Sequence, residues 1–258
     1  MQRYRLRLGV HFLLLATLIS SRASAESSPD VLCDPPRKTF LLIPLHVHVL
    51  QCDAREDLNC KLTDEQVRSV VNQVNGIWHK AGIHFCLGPI LHENAANVKA
   101  FADSITGAGD PPQSSPLEMY RLLAPVESRS LAGLHVYYIH QFDVNGVFLG
   151  RCMCFVKETA SLRPVEGGID QPLPRVTSHE LGHAMGLPHR QDITNLMASG
   201  TNGIKLNEAE VEIVRARAGK ISGAMTIAEF EANATAATSK DEVDRHSALR
   251  RELEQLPQ

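Results

Sequence analysis

The stretch from Phe40 to Leu50 is rich in Val, Ile and Leu and reads as a strand. Thr63 then opens a helix, with Gln66 three residues on to complete a capping box. Val67, Val70, Val71, Val74, Ile77 and Trp78 recur at helical spacing, so this helix is expected to bury one face. Gly82 ends it, and Ile83 to Cys86 reads as a second short strand. Gly107, Gly109, Pro111, Pro112 and Pro116 mark 103–116 as a long loop, with a short helix after it at Pro116 to Leu123. Leu134 to Phe142 and Val147 to Val156 are strand-like runs on either side of Asn145-Gly146, a pattern that predicts a hairpin. Pro164 to Pro174 reads as loop, and a helix follows from about Pro174 to Met185. Asn207 with Glu210 caps a further helix through Arg217. Beyond Gly219 the chain turns polar and rich in Ala and Thr. Lys240 to Leu256 carries only Val243, Leu249 and Leu253 as large apolar residues, so it reads as a marginal surface helix or a disordered extension. No internal repeat is visible.

Composition adds a compartment rather than a fold. The 258 residues are 43% hydrophobic and 21% charged, which is ordinary for a globular chain with room for one sizeable domain and appendages. Arg3, Arg5 and Arg7, the apolar run Leu8 to Ile19 and Ala23-Ser24-Ala25 read as a signal peptide over 1–25. The apolar run is too short to span a bilayer comfortably. After its removal no other stretch is long and apolar enough for a transmembrane helix, so no stable membrane insertion is expected. The expected location is secreted, periplasmic or extracellular. Losing 1–25 removes four Arg and no acid, which moves the formal charge from −3 to −7. That balance argues against nucleic acid as a partner. The domain reading is a lead-in at 26–38, a main domain at 39–218 and a charged extension at 219–258.

Cys33, Cys52, Cys60, Cys86, Cys152 and Cys154 make an even count in an exported chain, and disulfides are expected. Fifteen pairings are possible. Cys52 and Cys60 are near enough in sequence to close a small loop. Cys152 and Cys154 alternate as on a strand, which would aim both at one face. Buried free thiols are the blander alternative.

The chemistry lies in His179-Glu-Leu-Gly-His-Ala-Met-Gly-Leu-Pro-His189. His179 and His183 are four apart, so a helix places both rings on one face, one turn apart, where two imidazoles can share one zinc ion. Glu180 sits on the adjacent face, within reach of a metal-bound water without being a ligand. Gly186 can take a left-handed conformation and turn the chain, so that His189 approaches the same metal from a third direction. Three neutral imidazoles leave a fourth tetrahedral position for water, as a catalytic site needs and a structural one does not.

This segment resembles the long zinc signature of the metzincin metallopeptidases. The resemblance implies one catalytic Zn2+ held by His179, His183 and His189, with Glu180 as general base. It also implies a methionine turn beneath the metal, for which Met197 in Asn195-Leu196-Met197 is the match. The implied fold is α+β, a metzincin-like zincin with a twisted, mixed five-stranded sheet, an active-site helix and a C-terminal helix. An antiparallel edge strand, placed at 147–156, would line the cleft and take peptide or protein substrates in extended form. The implied activity is that of a secreted zinc metalloendopeptidase. A zinc hydrolase acting on a non-protein amide and a non-catalytic secreted zinc-binding protein are the alternatives, and Glu180 weighs against the last.

The chain departs from familiar subfamilies at Arg190, directly after the third histidine. No Tyr follows Met197 to supply an extra ligand, and Cys33-Asp34-Pro35-Pro36-Arg37 does not match a cysteine switch. Calcium dependence and oligomeric state are not readable. His46 and His48 share a strand face but lack a visible third ligand for a second metal site, and His135 and His140 read as structural or exposed. Asn233-Ala234-Thr235 fits a glycosylation sequon.

Overall fold

Strand β1 (Leu41–Gln51) alternates two kinds of side chain. Ile43, Leu45, Val47 and Val49 enter the main core, while His46, His48 and Leu50 take the other face. The computed structural model describes residues 32, 34–106, 116–236 and 240–254. The segment 1–25, Cys33 and the Gly- and Pro-bearing stretch 107–112 lie outside the described residues.

Helix α1 (Asp64–Trp78) starts at Thr63, whose side chain accepts from the Gln66 backbone while Gln66 returns the bond to Thr63 N–H. It buries Val67, Val70, Val71, Val74, Ile77 and Trp78, the six positions the spacing singled out. Thr63→Ala removes one partner of this box and is expected to lower the unfolding free energy by about 1 kcal/mol, read from urea titration. Gly82, at φ 63°, ends the following turn and feeds β2 (Ile83–Asn94). Helix α2 (Val98–Thr106) occupies the start of the segment read as loop and inserts Phe101.

The remaining strands are β3 (Leu134–Ile139), β4 (Gly146–Phe148), β5 (Met153–Lys157) and the two-residue β6 (Met225–Thr226). Their order is β2-β1-β3-β5-β4, with β6 pairing to the start of β1. The β2/β1, β1/β3 and β3/β5 pairs are parallel, and β4/β5 and β1/β6 are antiparallel. Fold class is therefore α+β with a mixed sheet. Helix α1 and helix α3 (Pro172–Ala184) pack on one face, against Val136, Tyr138, Cys154 and Val156. On the opposite face, Tyr137, Ile139, Met153 and Phe155 meet Phe101 and Leu123.

The hairpin expected across Asn145-Gly146 does not form. The run 147–156 is split by Gly150, Arg151 and Cys152, all at positive φ. β4 therefore ends at Phe148, and β5 turns back to run parallel to β3 and antiparallel to β4. The edge strand is Gly146–Phe148 alone, and 153–157 lies inside the sheet.

The disulfide expectation is also corrected. Cys52, Cys60, Cys86, Cys152 and Cys154 are free thiols. Cys60 and Cys154 lie in the α1/α3 core, Cys52 in the core across the sheet, and Cys86 beside the C-terminal helices. Cys152, in left-handed backbone, packs against the same core as Cys154, and both remain free thiols. Burial raises the thiols of Cys60 and Cys86 to about 12.

After α4 (Glu208–Ala218), the polar tail folds into α5 (Ile227–Ala236) and α6 (Lys240–Leu253). Leu253 is fully buried with Phe40, Leu42, Ile227 and Phe230, and Glu252 reaches His84 at 3.1 Å. Two apolar residues, Leu249 and Leu253, thus dock the charged helix.

Candidate metal centre

Helix α3 carries Arg175, His179, Glu180 and His183. It ends in a Schellman arrangement: Leu187 N–H bonds to Gly182 O, Gly186 N–H bonds to His183 O, and Gly186 sits at φ 91°. This reversal brings His189 back over the helix. His183 Nε2 lies 3.1 Å from His179 Nε2 and 3.1 Å from His189 Nε2. Among the described residues these three form the group of His, Cys, Asp or Glu side chains able to hold a metal ion.

The outer ring nitrogens explain the inner ones. His179 Nδ1 donates to Leu196 O at 2.8 Å, and His183 Nδ1 donates to Leu187 O at 2.7 Å. Donation there leaves the Nε2 lone pairs unprotonated and turned towards one another, a repulsive arrangement that a shared cation relieves. Burial holds His179 at about 3, with Arg175 and the other imidazoles acting in the same direction, and burial also lowers His183. Neutral rings of this kind suit a zinc-like cation.

Glu180 is 4% exposed and sits against the edge strand, where the Phe148 N–H donates to it. Burial raises its carboxyl to about 8, against the opposing pull of Arg175 and that N–H. Only a residue without a side chain fits opposite it. A Cβ on Gly146 would stand 2.7 Å from Glu180 Oε1 and 2.8 Å from Val176 Cγ1. Gly146→Ala is expected to displace the carboxylate and lower the unfolding free energy by about 1–3 kcal/mol in urea titration, with metal binding retained.

Met197 is fully buried under α3, and a Cβ on Gly182 would come within 2.6 Å of its Sδ. Its sulfur packs against α3 at Gly182, and the bare glycine is what lets it come so close. The turn that presents it is held from two sides. Asn195 Oδ1 accepts from Met197 N–H at 2.7 Å, and Arg190 N–H bonds to Met197 O at 3.0 Å.

Sequence reasoning missed two supports. Arg175, 2% exposed, lies one turn before His179 and ties the methionine loop to α3 by donating to Gly203 O, at 3.1 Å, and to Ala198 O. An Arg at that spacing on an otherwise buried helix face was the available signal. Glu210 does more than cap α4: its carboxylate accepts from Arg190 Nε at 2.6 Å and Asn195 Nδ2 at 2.9 Å. Arg190, unplaced by the sequence, thereby links the third histidine to α4.

The site opens into a cleft of about 620 Å³ between β4 and the Ser199-Gly200 turn, with Val144, Val147, Phe148 and Leu162 among its walls.

No family model matches the chain, and no curated protein matches it in sequence. Solved structures similar to it include the following three. Archaemetzincin from Methanopyrus kandleri is 14% identical at a TM-score of 0.42, covering 70% of this chain and 97% of its own. A zinc-dependent peptidase from Methanocorpusculum labreanum is 10% identical at 0.32, covering 67% and 99%. Metalloproteinase-II from Bacteroides fragilis is 10% identical at 0.39, covering 71% and 54%. At such identities and scores the chemistry has to be read from the chain's own residues.

Proposed function

We propose that this chain is a secreted zinc-dependent endopeptidase. The observation that carries the reading is the convergence of three imidazole nitrogens, 3.1 Å apart along the chain of contacts, beside a buried carboxylate at a cleft. His179, His183 and His189 would hold the ion, and Met197 would floor it. When bound, zinc supplies Lewis acidity and lowers the pKa of a water to about 7.

The rest of the chemistry belongs to the chain. Glu180 takes a proton from the attacking water and delivers it to the leaving amine, so its carboxyl cycles between ionised and protonated forms. A carboxyl raised towards neutrality is suited to both halves of that cycle. β4 is the last strand in the sheet order and borders the cleft, so an extended peptide can add alongside it by backbone hydrogen bonds. The apolar walls favour substrates with apolar side chains near the cleaved bond. The basic and apolar segment 1–25 supports export, and among the described residues no helix is long and apolar enough to cross a membrane.

The test is incubation of the chain lacking 1–25 with a diverse peptide mixture, read by mass spectrometry with and without a chelator. Internal cleavages that the chelator abolishes and zinc restores are expected. Trimming from termini only would replace the endopeptidase reading with an exopeptidase. Absence of fragments from a zinc-loaded chain would overturn it in favour of a non-peptide amide or a binding role.

A further inference from the structure

A second cluster of histidines lies on the face of the sheet turned away from α1 and α3. The register sets His46 opposite His135 and His48 opposite Tyr137, and β2 brings in Glu93. His48 and His135 are 0% and 2% exposed. His48 Nδ1 lies 2.7 Å from Glu93 Oε1, His48 Nε2 lies 3.0 Å from His135 Nδ1, and His135 Nε2 lies 3.0 Å from Leu131 O. Ser128 Oγ donates to Glu93 Oε1 at 2.9 Å.

The protons of this chain can be counted. A carbonyl only accepts, so His135 Nε2 carries hydrogen. An ionised Glu93 also only accepts, so it would require hydrogen on His48 Nδ1. Neutral imidazoles hold one hydrogen each, and both would then be used at the outer nitrogens. His48 Nε2 and His135 Nδ1 would be left as two lone pairs facing at 3.0 Å. The ring centroids are 5.3 Å apart, so the two nitrogens lie on the line between the rings. That differs from the metal centre, where His179 and His183 stand at 88° with centroids 4.7 Å apart and their nitrogens converge on a point to one side. A head-on pair at hydrogen-bond distance calls for a proton rather than a metal ion.

We propose that Glu93, His48 and His135 form a buried relay that holds three protons at neutral pH, one more than an ionised carboxylate and two neutral imidazoles would carry. The third proton sits on Glu93, with His48 then donating through Nε2, or between the rings as an imidazolium balanced by the Glu93 carboxylate. Both arrangements satisfy every link. Burial raises the Glu93 carboxyl and lowers His48, to about 3, and His135, which favours the first arrangement. The other titratable and charged groups facing the relay are His46, stacked on His135 at 5.1 Å, Tyr137, stacked on His48 at 4.1 Å, and Glu127 and Arg129 beside Ser128. Glu127 raises Glu93 further.

The consequence has a sign opposite to that of an ordinary buried histidine. As long as the relay keeps its third proton, the folded chain binds three at these groups where the unfolded chain above pH 7 binds about two. Stability contributed by the relay is therefore lost as pH rises, by up to about tenfold in the folding constant per pH unit. The relay ties the sheet to neutral or mildly acidic surroundings.

Glu93→Gln separates this from the alternative. The glutamine amide donates permanently to His48 Nδ1 and reproduces the three-proton state without titrating. Denaturant unfolding of the full chain from pH 7 to 9 is expected to show a shallower decline in E93Q than in the wild type. The difference should reach up to about 10²-fold in the folding constant, with E93Q the more stable protein at pH 9. Buried thiols also contribute to the alkaline decline, equally in both proteins, and cancel in the difference. Parallel slopes with E93Q weaker at every pH would overturn the proposal. Ring ¹⁵N shifts of the wild type at pH 7.5 give an independent reading: a proton on His48 Nε2 or His135 Nδ1 supports the relay, and lone pairs on both overturn it.

Discussion

Glu180→Gln is expected to lower kcat for peptide cleavage by about 10²- to 10⁴-fold while leaving metal content at one ion per chain. Glutamine keeps the shape of the side chain and can still accept from the Phe148 N–H, but it cannot take a proton from water. The three nitrogens that converge belong to His179, His183 and His189, so the ion should be retained. KM should change little, because the apolar cleft walls and the β4 edge are untouched. Loss of metal together with activity would mean that the carboxylate holds the site together instead. Retention of kcat within tenfold would remove Glu180 from the reaction. The pH profile adds a check of sign. A general base works ionised, so the rate should rise as pH increases through the Glu180 pKa. Burial places that pKa at about 8 in the metal-free chain, and a cation beside it draws it lower. The rising limb is therefore expected below pH 8, and Glu180→Gln should flatten it.

Much of this site was legible because its pattern is local. The capping box at Thr63, the buried stripe of α1 and the spacing of His179, His183, Gly186 and His189 are all set within one or two turns of chain, where side-chain periodicity and turn chemistry decide the outcome. What failed was long-range pairing. Asn145-Gly146 carries a turn signal, yet the turn that matters is at 150–152, where only Gly150 announces it. The cysteines count as an even set, but the fold distributes them among three separate cores. His46 and His48 share a strand face in the sequence, but His135 and Glu93 join them only through the register of β1 with β3 and β2. The tail was read from its charge, whereas Leu249 and Leu253 on one face of α6 govern its docking.

Glu210 illustrates the same limit and yields the second large effect. In sequence it completes a capping box with Asn207, worth about 1 kcal/mol. In the fold its carboxylate is fully buried and accepts from Arg190 Nε, Asn195 Nδ2 and the Asn207 N–H, the last two at 2.9 and 3.0 Å. One side chain therefore joins the start of α4, the residue after the third histidine and the residue that shapes the methionine turn. Glu210→Ala leaves a guanidinium, an amide and a backbone N–H without their acceptor. Breaking a buried pair from one side costs roughly 3–5 kcal/mol. The Arg190 side chain is 38% exposed and regains some hydration, so the lower end, about 3 kcal/mol, is expected in urea unfolding. Metal affinity should fall as well, by roughly 10- to 100-fold, because Arg190 and Asn195 orient His189 and Met197. Asn207→Ala provides the contrast: it removes the side-chain cap but keeps the Glu210 carboxylate, so it should cost about 1 kcal/mol and leave metal affinity unchanged. If Glu210→Ala weakened the fold without touching metal affinity, the carboxylate would be a helix cap only, and the link from Arg190 to the metal centre would fail.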